Sequence, residues 1–305
     1  SNAGLLAESG LKIPVIYAGN VAVRGQVSSI LEKAGMTVFA VDNVYPRIDQ
    51  LNVEPTRAVI QDVFEKHITE APGMSKIRSL VTGRIIPTPG AVMLGAKLLQ
   101  SALGDLVVID VGGATTDIHS VTEGSFENTS KAIAPEPFAK RTVEGDLGVY
   151  VNAPHVRPLC DLKSMSEKLA CAPEELINYS RPIPRSDEEI FFSRQLTKAA
   201  AETAMTRHAG ATEYIYGPAG RITITRGKDL TEVKWIIGTG GALTRLPGGE
   251  EILTSLNHKE NSLTLFPRIG GPLLDRNYIM AAAGLMSGLY PEAALALRKE
   301  SLGLD

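Results

Sequence analysis

The stretch Leu106-Val107-Val108-Ile109-Asp110-Val111-Gly112-Gly113-Ala114-Thr115-Thr116-Asp117-Ile118-His119-Ser120-Val121 decides how this chain is read. One β-run enters a Gly-Gly turn and a second leaves it, which predicts a hairpin. Asp110 breaks an otherwise apolar strand just before the turn, and Asp117 follows just after it. A carboxylate in such a strand is expensive unless it is used. Gly112 and Gly113 let backbone N–H groups approach phosphate oxygens with no Cβ in the way. Thr115 and Thr116 add hydroxyl donors. Carboxylates do not solvate phosphate directly, so Asp110 and Asp117 make sense with Mg²⁺ and its waters between them and a phosphate chain.

Downstream, Lys234-Trp235-Ile236-Ile237 predicts a buried strand running into Gly238-Thr239-Gly240-Gly241-Ala242, a second glycine turn that opens a helix. Such turns offer bare backbone to a ligand, often a nucleotide. Leu243 stands where a dinucleotide fingerprint needs its third glycine. Between the two turns, Ser186-Asp187-Glu188-Glu189 starts a long helix to His208. Asn152 to Pro158 reads as loop, as does Pro135 to Pro137. Arg276 to Leu289 predicts a small-residue helix around Ala281-Ala282-Ala283-Gly284. Upstream, Arg84 to Gly90 is a turn-rich entry to a helix over Ala91 to Ser101, and Pro72-Gly73 breaks the chain. Before that break, Ile13–Ala18 and Met36–Val41 predict strands, and Val21–Ala34 and Glu54–Ile68 predict helices. Strand and helix alternating at this short period give a small Rossmann-like α/β subdomain over 4–75, with 76–305 as the larger domain.

The 305 residues carry 44% hydrophobic and 21% charged side chains, which excludes disordered, collagen-like and coiled-coil chains. Net charge is −3 and the sequence pI is near 6.0, so nothing favours nucleic acid or anionic lipid as partner. No apolar run approaches the ~20 residues that span a bilayer. Cys160 and Cys171 form neither a disulfide framework nor a zinc motif, which suits a reducing, cytoplasmic compartment. The histidines at 67, 119, 155, 208 and 258 show no metal spacing. Gly90 and Gly95 precede Ala96-Lys97, one residue off a P-loop. Asp117-x-His119 falls short of a cobalamin-ligand motif because Thr122 stands where that motif needs glycine. No Gly-x-Ser-x-Gly elbow is present.

The two glycine turns, with Asp275 and the small-residue helix after it, resemble the actin-like ATPase superfamily. The match covers about residues 85–305 with its motifs in order. The resemblance implies a ribonuclease-H-like α/β lobe that binds ATP or ADP with Mg²⁺. By that likeness Asp110 holds the metal through water, and Asp117 supports it or positions the attacking water. Gly112, Gly113, Thr115 and Thr116 wrap the β- and γ-phosphates. Gly240, Gly241 and Ala242 meet the ribose and α-phosphate, Asp275 lies at the hinge side, and Lys198 is a candidate for the adenine. Within the superfamily, Ile109–Asp117, Lys140–Gly148, Arg207-His208-Ala209-Gly210 and Asn52-Val53-Glu54-Pro55 are similar to the accessory proteins called MutL of the glutamate mutase system, which are unrelated to the mismatch-repair protein. That likeness implies an ATP-driven, chaperone-like reactivating factor for an adenosylcobalamin-dependent mutase, whose subunits would be its partners.

The superfamily's first phosphate hairpin, Asp-x-Gly-x-Thr near the N-terminus, has no match here. Ser1-Asn2-Ala3 reads as a tag-cleavage scar, so the expectation is a parent protein that begins about 150 residues earlier, roughly one domain. Half of the phosphate clamp would then be missing, and hydrolysis by this chain is expected to be weak or absent. The superfamily's catalytic glutamate falls at Thr88, because Glu54 lies too far upstream of Asp110. A threonine orients water but is a poor base, which predicts slow turnover even in the parent. The alternative on the same fold is a small-molecule kinase or ATP-dependent amidohydrolase, with Glu144 or Asp146 as candidate base. A filament-forming scaffold is a third reading that no feature of the sequence favours.

Overall fold

The computed structural model describes the chain except for residues 1, 49, 70–73, 82–84, 218–219, 260–261, 269 and 305. The chain divides into two compact units, Ser1–Pro87 and Thr88–Asp305. The expected break at Pro72-Gly73, and Arg84, lie outside the described residues.

In the smaller unit, α1 (Asn2–Glu8) precedes β1 (Pro14–Tyr17). Next come α2 (Arg24–Lys33), β2 (Thr37–Ala40), α3 (Glu54–Thr69) and α4 (Met74–Leu80). β1 and β2 pair in parallel, Val15 opposite Val38 and Ile16 opposite Phe39. Parallel neighbours need a crossover, and α2 supplies it, seating Leu31 in the interior. The alternation of short strand and helix predicted for this segment is thus present.

The larger unit opens with α5 (Thr88–Leu103), longer than the predicted helix by a first turn that contains Pro89. β3 (Leu106–Val111) and β4 (Thr116–Val121) form the predicted hairpin, and α6 (Phe126–Thr129) precedes β5 (Ala139–Glu144). The 152–158 segment is not a loop. It forms α7 (Ala153–Val156) and a 3-10 turn, with Pro154 in the first helical turn and Ala153 and Val156 buried. Then follow α8 (Leu162–Leu169), α9 (Asp187–His208), and a hairpin of β6 (Ala211–Gly217) with β7 (Gly220–Arg226). The chain continues through β8 (Trp235–Thr239), α10 (Gly241–Thr244), α11 (Gly249–Thr254), β9 (Gly271–Leu274), α12 (Met280–Met286) and α13 (Pro291–Leu302). The small-residue helix predicted from Arg276 starts only at Met280, because residues 275–279 are held in a turn by the Asp275 carboxylate.

The sheet of this unit is mixed, in the order β5-β4-β3-β8-β9. β3 sits at its centre, antiparallel to β4 and parallel to β8, and β8 is parallel to β9. Both faces are covered. On one face Val107, Ile109 and Ile118 pack against Phe192, Leu196 and Ala200 of α9. On the other, Leu106, Val108 and Val121 pack against Val92, Ala96 and Leu99 of α5, with Met280 and Leu302. Double coverage is why β3 reads as one apolar run, each such side chain stabilising by roughly 1.5–3 kcal/mol. β9 is an edge strand, as is β5, and there Pro272 costs no ladder bond that a central strand would need. α9 begins as its sequence predicts, with a capping box between Ser186 and Glu189.

Candidate functional site

The two glycine turns leave the carboxyl ends of β3 and β8, neighbouring parallel strands with Asp110 opposite Thr239. Crevices at the carboxyl ends of parallel strands are where such sheets bind ligands. Gly240 brings the turns together. Its φ is +86°, and a Cβ there would collide with Val111 O and lie 2.6 Å from Asp110 Oδ1. Only glycine allows that approach.

A row of acidic side chains crosses the sheet at this level. Asp117 is the register partner of Asp110, and Asp110 that of Thr239. Thr239 Oγ1 donates to Asp275 Oδ2 at 2.9 Å. Register partners share a face, so the row lies on the side covered by α5 and α12. The three carboxylates differ in what neutralises them. Asp275 is fully buried and accepts from Thr239, from Ser301 Oγ at 2.6 Å, and from the N–H groups of Ile279 and Met280. Asp117 accepts from Thr115 Oγ1 at 3.1 Å through Oδ2, while its buried Oδ1 has no partner among the described residues. Burial pushes its pKa up, against the Thr115 hydrogen bond and the Arg141 charge. No hydrogen bond among the described residues reaches the Asp110 carboxylate. Burial, then the charges of Asp117 and Asp275, push Asp110 up to about 6.

The hairpin tip presents donors. Gly112 O accepts from Val149 N, and Gly113 O from Tyr150 N and Val151 N. Ala114 O accepts from Asn152 Nδ2 at 2.7 Å. With the carbonyls tied down on one side, the N–H groups of Gly113, Ala114 and Thr115 have no partner among the described residues. Consecutive free amides of this kind form an anion nest. Gly112 N–H is different, closing the turn onto Thr115 O. Thr116 Oγ1 donates inward to Leu147 O at 2.7 Å, so its hydroxyl braces the turn and does not face a ligand. Gly241 is exposed and Ala242 half-buried at the second turn.

Both features fit a cation bound with phosphate: the Asp110 carboxylate and the partnerless Asp117 Oδ1 on one side, free amides on the other. Among the described residues, no group of three or more His, Cys, Asp or Glu is placed to hold a metal alone. A cation here would need water or phosphate oxygens to complete its shell.

Thr88 is the exposed first residue of α5. Because α5 runs back along β3, it returns Thr88 to the Asp110 end of the sheet. Lys198 is exposed on α9, one turn beyond Arg194, which pairs with Glu251 of α11. Among the described residues no hydrogen bond or ion pair joins Lys198 to the glycine turns.

A model of the MutL protein family matches residues 1–302. "Protein MutL" of Clostridium tetanomorphum is 38% identical over 318 residues, covering 99% of this chain and 69% of that relative. The chain belongs to the MutL family.

Three of the four segments that carried the MutL resemblance meet in space. Arg207 reaches Asp146 through Nη1 at 2.8 Å and Nη2 at 2.9 Å, and Glu144 at 2.6 Å. His208 bridges Thr142 Oγ1 at 2.9 Å and Ser120 Oγ at 2.8 Å. The 144–152 loop, clasped this way, supports the hairpin tip. Glu144 and Asp146 are therefore bound to a guanidinium, which disfavours either as a free general base. Two supports went unseen in the sequence. Gly148 lies so close under Ala114 that a Cβ would strike its backbone, and Asn152 bridges Ala114 O and Gly145 O. The Glu-Gly-Asp-Leu-Gly spacing was the available signal.

Cys160 and Cys171 are half-buried free thiols against the core of the larger unit. His119 is fully buried in β4, as the strand reading expects. A recess of about 210 Å³ at the other end of the sheet holds Lys228, whose ammonium donates to Thr122 O and Pro137 O. No helix among the described residues is long and apolar enough to cross a membrane.

Proposed function

We propose that this chain is the nucleotide-binding lobe of an actin-like ATPase architecture. In this reading it binds Mg–ATP and Mg–ADP where the two glycine turns meet, and works in the cytoplasm as a reactivating factor for an adenosylcobalamin-dependent mutase. The observation that carries the nucleotide part is the pairing of free Gly113–Thr115 amides with the Asp110 carboxylate and the partnerless Oδ1 of Asp117. The mutase part rests on membership of the MutL family and its resemblance to the accessory proteins of glutamate mutase.

In this reading the amides of Gly113, Ala114 and Thr115 bind phosphate oxygens, and Gly112 gives the turn its close approach. Asp110 and Asp117 orient the waters of the cation. Mg²⁺ supplies charge neutralisation of the phosphate chain. Gly240, Gly241 and Ala242 approach the ribose and α-phosphate. Asp275 positions Thr239 and the Gly240 turn. Thr116 serves by bracing the hairpin against Leu147. Thr88 orients a water without taking its proton, so turnover is slow even in the parent protein and weak or absent in this chain. Slow turnover fits a switch whose ATP and ADP states favour different conformations.

Isothermal titration of this chain with Mg–ATP tests the proposal. Binding that disappears when EDTA removes Mg²⁺ is expected. No heat, alone or with a cobalamin-dependent mutase present, overturns it.

A further inference from the structure

The turn between β9 and α12 holds an aromatic residue in a conformation that aromatic residues avoid. Tyr278 has φ +54°, where the Cβ crowds the backbone. Every amide of the turn is tied. Arg276 N donates to Leu274 O at 2.9 Å and Ser301 O at 3.0 Å, and Tyr278 N to Asp275 O at 2.8 Å. Asn277 N donates to Ser301 Oγ at 3.0 Å. Ile279 N and Met280 N reach the Asp275 carboxylate at 3.1 Å and 2.8 Å. Strain of this kind persists where the surroundings over-determine it, and it collects at ligand sites. Glycine or asparagine would fill the position with less strain. A tyrosine needs another reason, and its ring is not a core element, since Tyr278 is 54% exposed.

The turn starts at the end of the acidic row. Asp275 bonds Thr239, whose register partner is Asp110. Partial burial, then the charges of Asp110 and Asp275, raise the pKa of its phenol, while Arg245 acts the other way.

We propose that Tyr278 is a ligand-contacting residue of this site, its phenol O–H donating to a phosphate oxygen of the bound nucleotide from the end of the row opposite Asp117. This inference rests on the nucleotide reading above. It gives the site a third wall beside the two glycine turns, and it explains a strained tyrosine where glycine would fold more easily.

Titration of the 305-residue chain with Mg–ATP, alongside thermal melting, tests it in wild type, Tyr278→Phe and Tyr278→Asn. Tyr278→Phe is expected to leave the melting temperature unchanged and weaken binding by about tenfold, the range of a hydrogen bond to a charged group. Tyr278→Asn is expected to raise the melting temperature and weaken binding at least as much. Wild-type affinity in both variants overturns the role of Tyr278 and leaves the nucleotide reading standing. Absence of binding by the wild-type chain overturns both.

Discussion

Asp110 and Asp117 are register partners on one face of the β3–β4 hairpin, two carboxylates side by side. No lysine or arginine among the described residues hydrogen-bonds either one. Like charges directly opposite in a sheet are destabilising, and partial burial strengthens the repulsion because less water screens it. The folded chain therefore carries a local electrostatic cost, which the cation of the proposed function would relieve. Site and stability are set against each other at this one pair.

That opposition predicts the behaviour of Asp110→Asn. The amide keeps the shape and removes a charge facing Asp117 and Asp275. Without ligand the variant should melt higher than wild type at pH 8, by about 3 °C if roughly 1 kcal/mol of repulsion is relieved. Its Mg-dependent nucleotide binding should be lost. Differential scanning calorimetry and titration read the two effects separately. An unchanged melting temperature would show that the carboxylates do not repel.

Acidity should act on the site in the same direction. Asp110 has its pKa raised from 3.8 to about 6 in the fold. An acid raised on folding binds more protons in the native state than in the unfolded chain between those two values. Its penalty is thus fully present above pH 6 and fades as pH falls towards 4. Cation binding needs the ionised form, so Mg–ATP affinity should fall about tenfold for each pH unit below 6. Total stability does not isolate this, because His119 and His208 have pKa values lowered to about 3 by burial. Those histidines stay neutral in the fold and charge when unfolded, so they remove stability as pH drops below 6.5. The difference between wild type and Asp110→Asn, measured from pH 8 to pH 4.5, cancels the histidines and should shrink steadily below pH 6.

Gly148 tests whether the 144–152 loop sets the hairpin tip. A Cβ at 148 would strike the Ala114 backbone, which has only the turn itself to yield. Gly148→Ala should cost about 1–3 kcal/mol by overpacking and displace the Gly113–Thr115 amides, lowering Mg–ATP affinity. Gly145→Ala is the control, since nothing lies within 4 Å of a Cβ there. Equal effects from the two variants would refute a supporting role for Gly148.

The parts of the site legible in the sequence are those encoded locally. The apolar run 106–111, broken only at Asp110, announced a doubly covered strand with a carboxylate at its end. Gly112-Gly113 and Gly240-Gly241 announced turns, and Ser186 with Glu189 announced a helix start. What stayed hidden depends on distant chain segments meeting. Arg207 clasps Glu144 and Asp146 from the far end of α9, and no period or spacing encodes that. Tyr278 looks like any exposed tyrosine until its φ is known. The Thr116 hydroxyl looked like a phosphate donor, but Leu147 O takes it. The helix predicted from Arg276 starts late because Asp275, buried beside Thr239, holds the preceding turn with its carboxylate. β9 went unread because Gly271 and Pro272 argue against a strand, and only an edge position tolerates them.

The crossing of α5 and α12 supplies the last test. Arg298 of α13 is 1% exposed, and its guanidinium lies against Gly95 of α5 and Gly284 of α12. Nη2 donates to Met280 O at 2.6 Å, while Nε and Nη1 have no partner among the described residues. Burial lowers its pKa to about 10 despite the nearby Asp275 charge. A buried cation so thinly paired contributes little, and an apolar side chain of similar length often serves as well or better. Arg298→Met should be neutral or stabilising by up to about 2 kcal/mol, since Met280 O keeps its helical amide partner. Gly95→Ala alone should be severe, about 3 kcal/mol, because its Cβ would overlap the guanidinium. In the double variant that Cβ meets a flexible thioether, so most of the loss should be recovered. Chemical denaturation of the four proteins gives the coupling, expected above about 1 kcal/mol for groups in contact. Additive effects would mean that the guanidinium does not occupy the space over Gly95 in solution.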